Sequence, residues 1–302
     1  MPELPEVETT VRSLNKLSGL SIKDFWTSYN SPFYKGKENI KDKKYLELFK
    51  KNIINKQILS AERRAKNILI HLSGDITILV HMKMTGHFLH GEYKFKKNNW
   101  KPKDEKGPLN DMHNKFIRAV FILSDGKHLA FSDMRKFAKI NFFNTDTINK
   151  HKELSKLGPE PLDKKFSFEN FKKVLLKKPN GKIKQVLMMP EIISGIGNIY
   201  SDEILWASDI HPFSSPIKIP DSNLKKAFEA MREILESSIK TGGDSMSDFR
   251  RIDGTKGGFQ NFHKAYRKTN DRCSKRNCLG VIKKMKIGGR SAHFCNLHQK
   301  TF

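Results

Sequence analysis

The sequence predicts an α+β fold in which a β-rich first half precedes a helical region and a C-terminal metal-binding segment. Three observations support this order. Apolar residues alternate as in strands in the first half, and they recur every three to four residues beyond about residue 160. All three cysteines lie in the last thirty residues. A chain of 302 residues suits one large domain or two to three smaller ones, at roughly 100–200 residues each.

The first half contains several predicted strands. Residues 75–82 alternate apolar and polar side chains, as a half-buried strand does. Residues 116–123 and 128–131 flank a Ser-Asp-Gly-Lys turn and predict a hairpin, and residues 139–143 predict a further strand. The polar, lysine-rich residues 91–112 are predicted to be an inserted loop.

Turn-forming residues mark the predicted domain boundary, and helices follow it. Residues 157–162 read Leu-Gly-Pro-Glu-Pro-Leu. Residues 168–176 and 224–239 show helical spacing, and Asp221 or Ser222 is a candidate cap for the second helix. The predicted domains are 1–160, 161–263 and 264–302.

The cysteines and one histidine have the spacing of a metal site. The pattern is Cys273-x4-Cys278-x16-Cys295-x2-His298, which gives two ligand pairs joined by a hairpin, as in a zinc ribbon. Four protein ligands leave no open position, so we expect one structural Zn²⁺. His293 is an alternative ligand, and three buried thiols with no metal are the competing interpretation.

The net charge of +25, from 57 Lys and Arg against 32 Asp and Glu, favours a polyanionic partner. Nucleic acid is the first candidate, an anionic membrane surface is the second, and general solubility is the alternative to both. Eleven basic residues and one acidic residue fall within 264–302. The sequence has neither a run of about 18 apolar residues nor a signal peptide. We therefore expect a soluble cytoplasmic protein with no membrane partner.

The N-terminus carries candidate catalytic groups. Pro2 follows the initiator Met in a context that favours Met removal, which would expose a secondary amine with a pKa near the α-amino value of about 8. Such an amine can attack an electrophilic carbon to form an iminium ion. Glu3 and Glu6 are close enough in sequence to serve as acid and base. The alternative is that these residues have no catalytic role and only cap a helix or start a strand.

The opening Met-Pro-Glu-Leu-Pro-Glu-Val-Glu-Thr resembles that of bacterial formamidopyrimidine-DNA glycosylase, the base-excision enzyme for oxidised purines. Further segments with a family resemblance follow in order along the chain. They are Arg63–Lys66, His81–Gly86, Asp133–Phe137, Leu157–Leu162, Gly195–Glu203 and Gly289–Cys295.

The resemblance implies a two-layer β-sandwich, a helix–two-turns–helix domain and a zinc finger. It implies a monomer that binds duplex DNA containing damaged bases, associates with the nucleoid and uses no organic cofactor. The activity implied is that of a bifunctional glycosylase and abasic-site lyase, in which Pro2 attacks C1′ of a flipped nucleotide. β- and δ-Elimination from the resulting Schiff base would then cut the strand.

The resemblance also implies roles for individual residues. Pro2, Glu3, Glu6 and Lys66 would form the catalytic group. Three further sets would contact DNA: a stack-filling set, a phosphate clamp that includes Lys66, and a residue beside the lesion pocket. Met84, Arg135 and Phe137 would fill the vacated stack. His81, Asn198 and Arg290 would join Lys66 in the phosphate clamp, and Tyr266 would lie beside the lesion pocket. A mobile loop covering the lesion would lie within 242–258.

Three departures from the family pattern affect the expected substrate range. Lys83 stands where the family usually has Gly or another residue, Arg267 replaces a Gly after Tyr266, and residues 91–112 are inserted. An oxidised-pyrimidine glycosylase of the endonuclease VIII type is the nearest alternative, although Leu4 favours the purine branch. A catalytically silent damaged-DNA-binding protein and a zinc-ribbon RNA-binding protein are the others.

Overall fold

The computed structural model describes residues 1–302, apart from the side chain of residue 149. The chain forms two compact units. Met1–Leu154 and Thr241–Gly258 form the first unit, and Ser155–Lys240 and Phe259–Phe302 form the second. The predicted division at residues 160 and 263 stays a prediction about folding domains.

Besides short 3-10 turns, the first unit contains two α-helices and ten strands among its described residues. They are α1 (Leu4–Leu14), β1 (Ile22–Thr27), α2 (Lys43–Ile53), β2 (Ile58–Arg64), β3 (Asn67–Leu72), β4 (Ile76–His81), β5 (His87–Gly91), β6 (Tyr93–Lys96), β7 (Asn99–Pro102), β8 (Ile117–Leu123), β9 (His128–Ser132) and β10 (Lys139–Asn144).

Two four-stranded antiparallel sheets make the β-sandwich that the family resemblance implied. One has the strand order β1-β8-β9-β5 and the other β10-β4-β3-β2. Apolar side chains from both sheets, such as Phe121 and Ile78, belong to one buried core. The strands predicted at 75–82, 116–123, 128–131 and 139–143 are confirmed as β4, β8, β9 and β10.

Two elements of the first unit differ from the sequence-based description. Helix α1 begins directly after Glu3, where the sequence offered only a cap or a strand start, and it buries Leu4 and Val7. The insertion contains the β6–β7 hairpin, whose turn residues Lys97 and Asn98 both have positive φ. The lysines conceal the alternating aromatic residues Tyr93 and Phe95 of β6, and the Phe95 ring packs against Trp100 of β7 at 5.3 Å between ring centres.

The second unit consists of helices followed by a two-stranded ribbon. Its elements are α3 (Phe168–Leu175), α4 (Ile183–Leu187), α5 (Asn198–Ala207), α6 (Asp221–Lys240), β11 (Ile282–Ile287) and β12 (Arg290–Cys295).

Both predicted helices and the ribbon hairpin of the second unit are confirmed. Helix α6 begins at Asp221, so the two candidate caps Asp221 and Ser222 lie inside the helix rather than before it. Strands β11 and β12 pair in the antiparallel register expected around Gly288-Gly289. Across the described part of the chain, no helix is both long enough and apolar enough to cross a membrane.

Candidate functional site

The candidate nucleophile and its two carboxylates are buried at the start of α1. Pro2 is buried, and Glu3 and Glu6 are only 2% and 1% exposed. The two glutamates form a capping box in which the Glu6 side chain accepts a bond from the Glu3 amide at 2.8 Å. That amide joins Pro2 to Glu3, so Glu6 is held beside the candidate nucleophile. The N-terminus of α1 also favours negative charge at this point.

The Thr241–Gly258 segment reaches the same carboxylate. The amide of Asp244 donates to Glu6 Oε1 at 2.8 Å. Gly243 has φ +83°, and a Cβ at this position would lie 3.1 Å from Glu6 Oε1. Glycine suits this position because it adopts the positive φ without strain and leaves room for the Glu6 carboxylate. The segment expected to cover a lesion thus contacts a candidate catalytic residue.

Lys66 and His81 are brought together by strand register. Lys66 lies in the β2–β3 turn, and the next residue, Asn67, pairs with His81 at the end of β4. Burial, with the charges of Lys83, Lys66 and Lys139 after it, lowers the pKa of His81 to about 3. His81 is therefore neutral near pH 7, and its Nδ1 accepts the amide hydrogen of Lys83 at 3.0 Å. Its Nε2 then carries the hydrogen and can donate to a phosphate.

Two neighbouring loops carry Met84 and the pair Arg135 and Phe137. Phe137 is 48% exposed, with the Arg135 guanidinium 4.5 Å from its ring centre, and Met84 is half-buried. Phe137 is thus no core residue. The hydroxyl of Thr85 joins the loops, because it donates to Asp133 Oδ1 at 2.6 Å and accepts the Arg135 amide at 3.0 Å.

The buried Asp133 carboxylate is the centre of this loop pair. Its Oδ2 accepts the Tyr29 hydroxyl at 2.7 Å and the Ala138 amide at 3.0 Å. Burial, followed by the charge of Asp133, raises the pKa of Tyr29 well above 10.0. The phenol therefore stays a donor over the whole physiological range.

Both single-residue departures from the family pattern lie at left-handed backbone positions. Lys83 has φ +56° and Arg267 has φ +58°. A residue with a Cβ is disfavoured there relative to glycine. These positions therefore gain positive charge near candidate DNA contacts at a cost in backbone energy.

Asn198 is the first residue of α5 in the second unit, directly after Gly197. Its carbonyl oxygen accepts a bond from Lys184 Nζ at 3.3 Å. Lys184 and Asp202 are 1% and 0% exposed and form an ion pair at 2.5 Å. The second oxygen of Asp202 accepts the His293 amide at 3.1 Å and His293 Nδ1 at 2.9 Å. A buried network therefore joins α4, the start of α5 and β12.

Tyr266 is anchored through the same helix. The Glu203 carboxylate accepts the amides of Lys264, Ala265 and Tyr266 at 2.7–3.0 Å. Burial raises the pKa of Glu203 above its usual value. This carboxylate fixes the segment that precedes the ribbon.

The four predicted metal ligands converge in the second unit. The ligand atoms of Cys273, Cys278, Cys295 and His298 all lie within 4.8 Å of one another. Cys278 Sγ is 3.6 Å from Cys295 Sγ, near the separation of about 3.8 Å that a tetrahedral Zn–S bond of about 2.3 Å gives. His298 Nε2 donates to the Trp206 carbonyl at 3.1 Å, which leaves Nδ1 for the metal. The cluster can hold a metal ion, and it does not include His293, whose Nδ1 bonds to Asp202 instead.

Arg290 is the exposed first residue of β12, at the hairpin turn. The first unit thus holds Pro2, Glu3, Glu6, Lys66 and His81 together with Met84, Arg135 and Phe137. The second unit holds Asn198, Tyr266, Arg290 and the metal cluster. The contacts of these residues with DNA stay predictions.

The buried supporting residues were not identified from the sequence. Tyr29, Lys41 and Thr85 hold the loop pair, with Lys41 Nζ donating to the Lys136 carbonyl at 2.7 Å. Burial lowers the pKa of Lys41 to about 8. Only Lys184 could have been noticed in the sequence, because it is a charged residue among the apolar residues of a short helix. Thr85 and Tyr29 have no comparable signal.

Two family profiles and many relatives match this chain. Residues 1–140 match the formamidopyrimidine-DNA glycosylase N-terminal domain, and residues 157–250 match the formamidopyrimidine-DNA glycosylase H2TH domain. The chain is 32% identical to a formamidopyrimidine-DNA glycosylase of Heliobacterium modesticaldum, covering 99% of this chain and 100% of that one. It is 34% identical to one of Pelotomaculum thermopropionicum, covering 99% of each.

Solved structures with a similar fold contain damaged DNA. Wild-type Lactococcus lactis Fpg (MutM) in complex with N7-benzyl-Fapy-dG DNA is similar with a TM-score of 0.83 and 30% identity. MutM in complex with carbocyclic 8-oxo-G DNA is similar with a TM-score of 0.82 and 30% identity. Each match covers 99% of this chain and 100% of the other.

Proposed function

The chain belongs to the formamidopyrimidine-DNA glycosylase family and is a DNA glycosylase, and from that premise we propose that it excises oxidised purines and then cleaves the strand. The proposed substrates are 8-oxoguanine and formamidopyrimidines in duplex DNA. The buried cluster of Pro2, Glu3 and Glu6 carries the proposal, because it combines a potential secondary amine with two carboxylates.

Removal of Met1 turns the nitrogen of Pro2 into the nucleophile. Its lone pair forms a bond to C1′ of the flipped nucleotide, the bond from C1′ to the base breaks, and the base leaves with the proton that the Pro2 nitrogen loses. Glu3 then donates a proton to the ring oxygen O4′ as the C1′–O4′ bond opens. An iminium ion between Pro2 and C1′ remains, and the negative charge of Glu6 stabilises it.

The iminium ion makes the C2′ proton acidic. Removal of that proton by Glu3 lets the electron pair expel the 3′ phosphate, which is the β-elimination. After Glu3 releases that proton to water, it removes the C4′ proton, and a second elimination expels the 5′ phosphate and leaves a gap in the strand. Water then hydrolyses the remaining iminium ion, which releases the sugar remnant as an aldehyde and returns the free amine of Pro2.

Cationic and neutral donors would hold the phosphates around the flipped nucleotide. Lys66 and the Nε2 hydrogen of His81 serve this purpose in the first unit, and Asn198 and Arg290 serve it in the second. Met84 and Phe137 would fill the vacated stack as apolar wedges, while Arg135 bonds to the orphaned base. Tyr266 would lie beside the lesion. Phosphate contacts of this kind make the DNA affinity fall steeply as the salt concentration rises. The DNA substrate would be the nucleoid in the cytoplasm.

One Zn²⁺ ion is the metal we propose for the Cys273, Cys278, Cys295 and His298 cluster. The donor set of three thiolates and one imidazole suits Zn²⁺, and four ligands leave no site for a substrate. The ion would hold the ribbon that presents Arg290. Its role is structural, because the proposed chemistry needs only the amine and the carboxylates.

Comparing four duplexes tests this function. Met-processed protein is incubated with DNA containing 8-oxoguanine opposite cytosine, formamidopyrimidine, thymine glycol or an abasic site, with and without borohydride. We expect nicking and a trapped covalent adduct on the two purine lesions and on the abasic site. Faster cleavage of thymine glycol would favour the endonuclease VIII type, and no adduct on any duplex would favour a silent DNA-binding protein.

A further inference from the structure

The inserted part of the first unit lies against the segment that reaches Glu6. We propose that residues 107–114, here called the support segment, are a positioning element that holds the loop segment (Thr241–Gly258) over the active site. This inference rests on the proposed function, in which the loop segment covers an oxidised purine. It gives a role to part of the insertion, which the proposed chemistry leaves unused.

An ion pair between the buried Arg250 and the half-buried Asp111 is the main connection between the two segments. The Arg250 side chain is 2% exposed, and its Nη2 lies 3.2 and 3.4 Å from the two carboxylate oxygens of Asp111. Its Nη1 donates to the carbonyls of Ser247 and Phe249 at 2.9 Å each. The guanidinium therefore organises its own loop and ties it to the support segment at the same time.

Three further contacts run along the same face. His113 Nδ1 is 3.5 Å from Asp248 Oδ1, and the Asn114 side chain donates to the Gly254 carbonyl at 3.3 Å. Gly254 has φ +86°, and a Cβ there would lie 2.6 Å from the backbone carbon of Pro108. The backbones touch so closely that only glycine fits at this position.

The other end of the loop segment is bonded to the catalytic cluster. Asp244 donates its amide to Glu6 Oε1, and the Gly257 amide donates to Ser245 Oγ at 2.8 Å. The loop segment is therefore anchored at Asp111 through Arg250 and at Glu6 through Asp244. The support segment therefore favours a docked loop, and this reduces the ordering cost when a damaged base is bound.

The consequence differs between two substrates of the same enzyme. Excision of a damaged base needs the loop segment over that base, whereas cleavage at an abasic site has no base to cover. Weakening the support should therefore lower excision of 8-oxoguanine and spare abasic-site cleavage. A general folding defect would lower both rates together.

Asp111→Asn tests the inference, because it removes the charge and keeps the size of the side chain. If the docked fraction falls to roughly a tenth, kcat/KM for 8-oxoguanine excision falls about tenfold while abasic-site cleavage stays unchanged. Hydrogen exchange at the amides of residues 244–257 should become faster. The exchange Asp111→Arg with Arg250→Asp should restore part of the lost excision.

Glu105→Gln is the matched control, since Glu105 pairs at 2.9 Å with Lys94 inside the insertion. It should leave both activities and loop exchange unchanged. Equal loss of both activities in Asp111→Asn, or unchanged excision with unchanged loop exchange, would overturn the inference. Failure of the wild-type protein to cleave an abasic site would instead count against the proposed function, while the exchange measurement would still test the support.

Discussion

Each unit of the molecule has a buried aspartate that fixes segments carrying candidate DNA contacts, and the two are satisfied in different ways. Asp133 in the first unit accepts hydrogen bonds from neutral donors, two hydroxyls and one amide. Asp202 in the second unit accepts them from the Lys184 ammonium and from the amide and ring of His293.

The two sets of contacts therefore depend on different parts of the fold. The donors to Asp133 come from the sandwich and its loops, so that site is stable wherever the sandwich is folded. The donors to Asp202 include a residue of the ribbon that carries the metal ligands. The position of Asn198 is therefore coupled to the ribbon, whereas that of Arg135 and Phe137 is not.

Loss of the metal should produce the largest difference in stability between the Asp202 site and the Asp133 site. A structural zinc contributes about 10–16 kcal/mol to folding in isolated zinc-finger peptides. Cys295→Ser should lower the zinc content, loosen β12 with His293, and speed amide exchange around Asp202. Amides around Asp133 should keep their protection. Stoichiometric zinc in this variant would contradict the proposed ligand set.

Lys184→Met should have the next largest effect, because it leaves the Asp202 charge buried without its ion-pair partner. Losing one member of a buried pair costs about 3–5 kcal/mol. Amide exchange and urea denaturation should show this loss in the second unit. Lys182→Met is the control on the same turn, since Lys182 is exposed and should cost far less. Equal costs for the two variants would refute the importance of the buried pair.

Thr85→Val should destabilise the loop pair of the first unit by about 1–3 kcal/mol, because it leaves one oxygen of buried Asp133 without its hydroxyl donor. The free energy of unfolding measures the effect. The destabilisation should be confined to Met84, Arg135 and their neighbours. A change in zinc content or in exchange at α5 would contradict the separation of the two sites.

Lys83→Gly and Arg267→Gly should each stabilise the protein by up to about 1 kcal/mol, since both positions have positive φ. Thermal unfolding would report the gain. DNA affinity at low salt should fall for both variants, because a cation is lost. Destabilisation by either substitution would show that the side chain makes a contact that outweighs its backbone strain.

Local patterns in the sequence predicted four strands of the sandwich, the helices α3 and α6, and the ribbon, because burial imposes a period of two or of 3.6 residues. Cys273, Cys278, Cys295 and His298 were predictable from spacing alone. The helix after Glu3 was missed, since two prolines conceal a capping box that only the folded chain completes. The network of Lys184, Asp202 and His293 joins residues far apart in sequence, so no local pattern reveals it.

Mapping the borohydride-trapped adduct on the protein tests the central claim most directly. After reduction on abasic-site DNA and proteolysis, mass spectrometry of the N-terminal peptide locates the sugar remnant. We predict that the modified peptide begins at Pro2, lacks Met1 and carries the remnant on the Pro2 nitrogen. An adduct on Lys66 or another lysine, or an active protein that retains Met1, would contradict the assignment of Pro2 as the nucleophile.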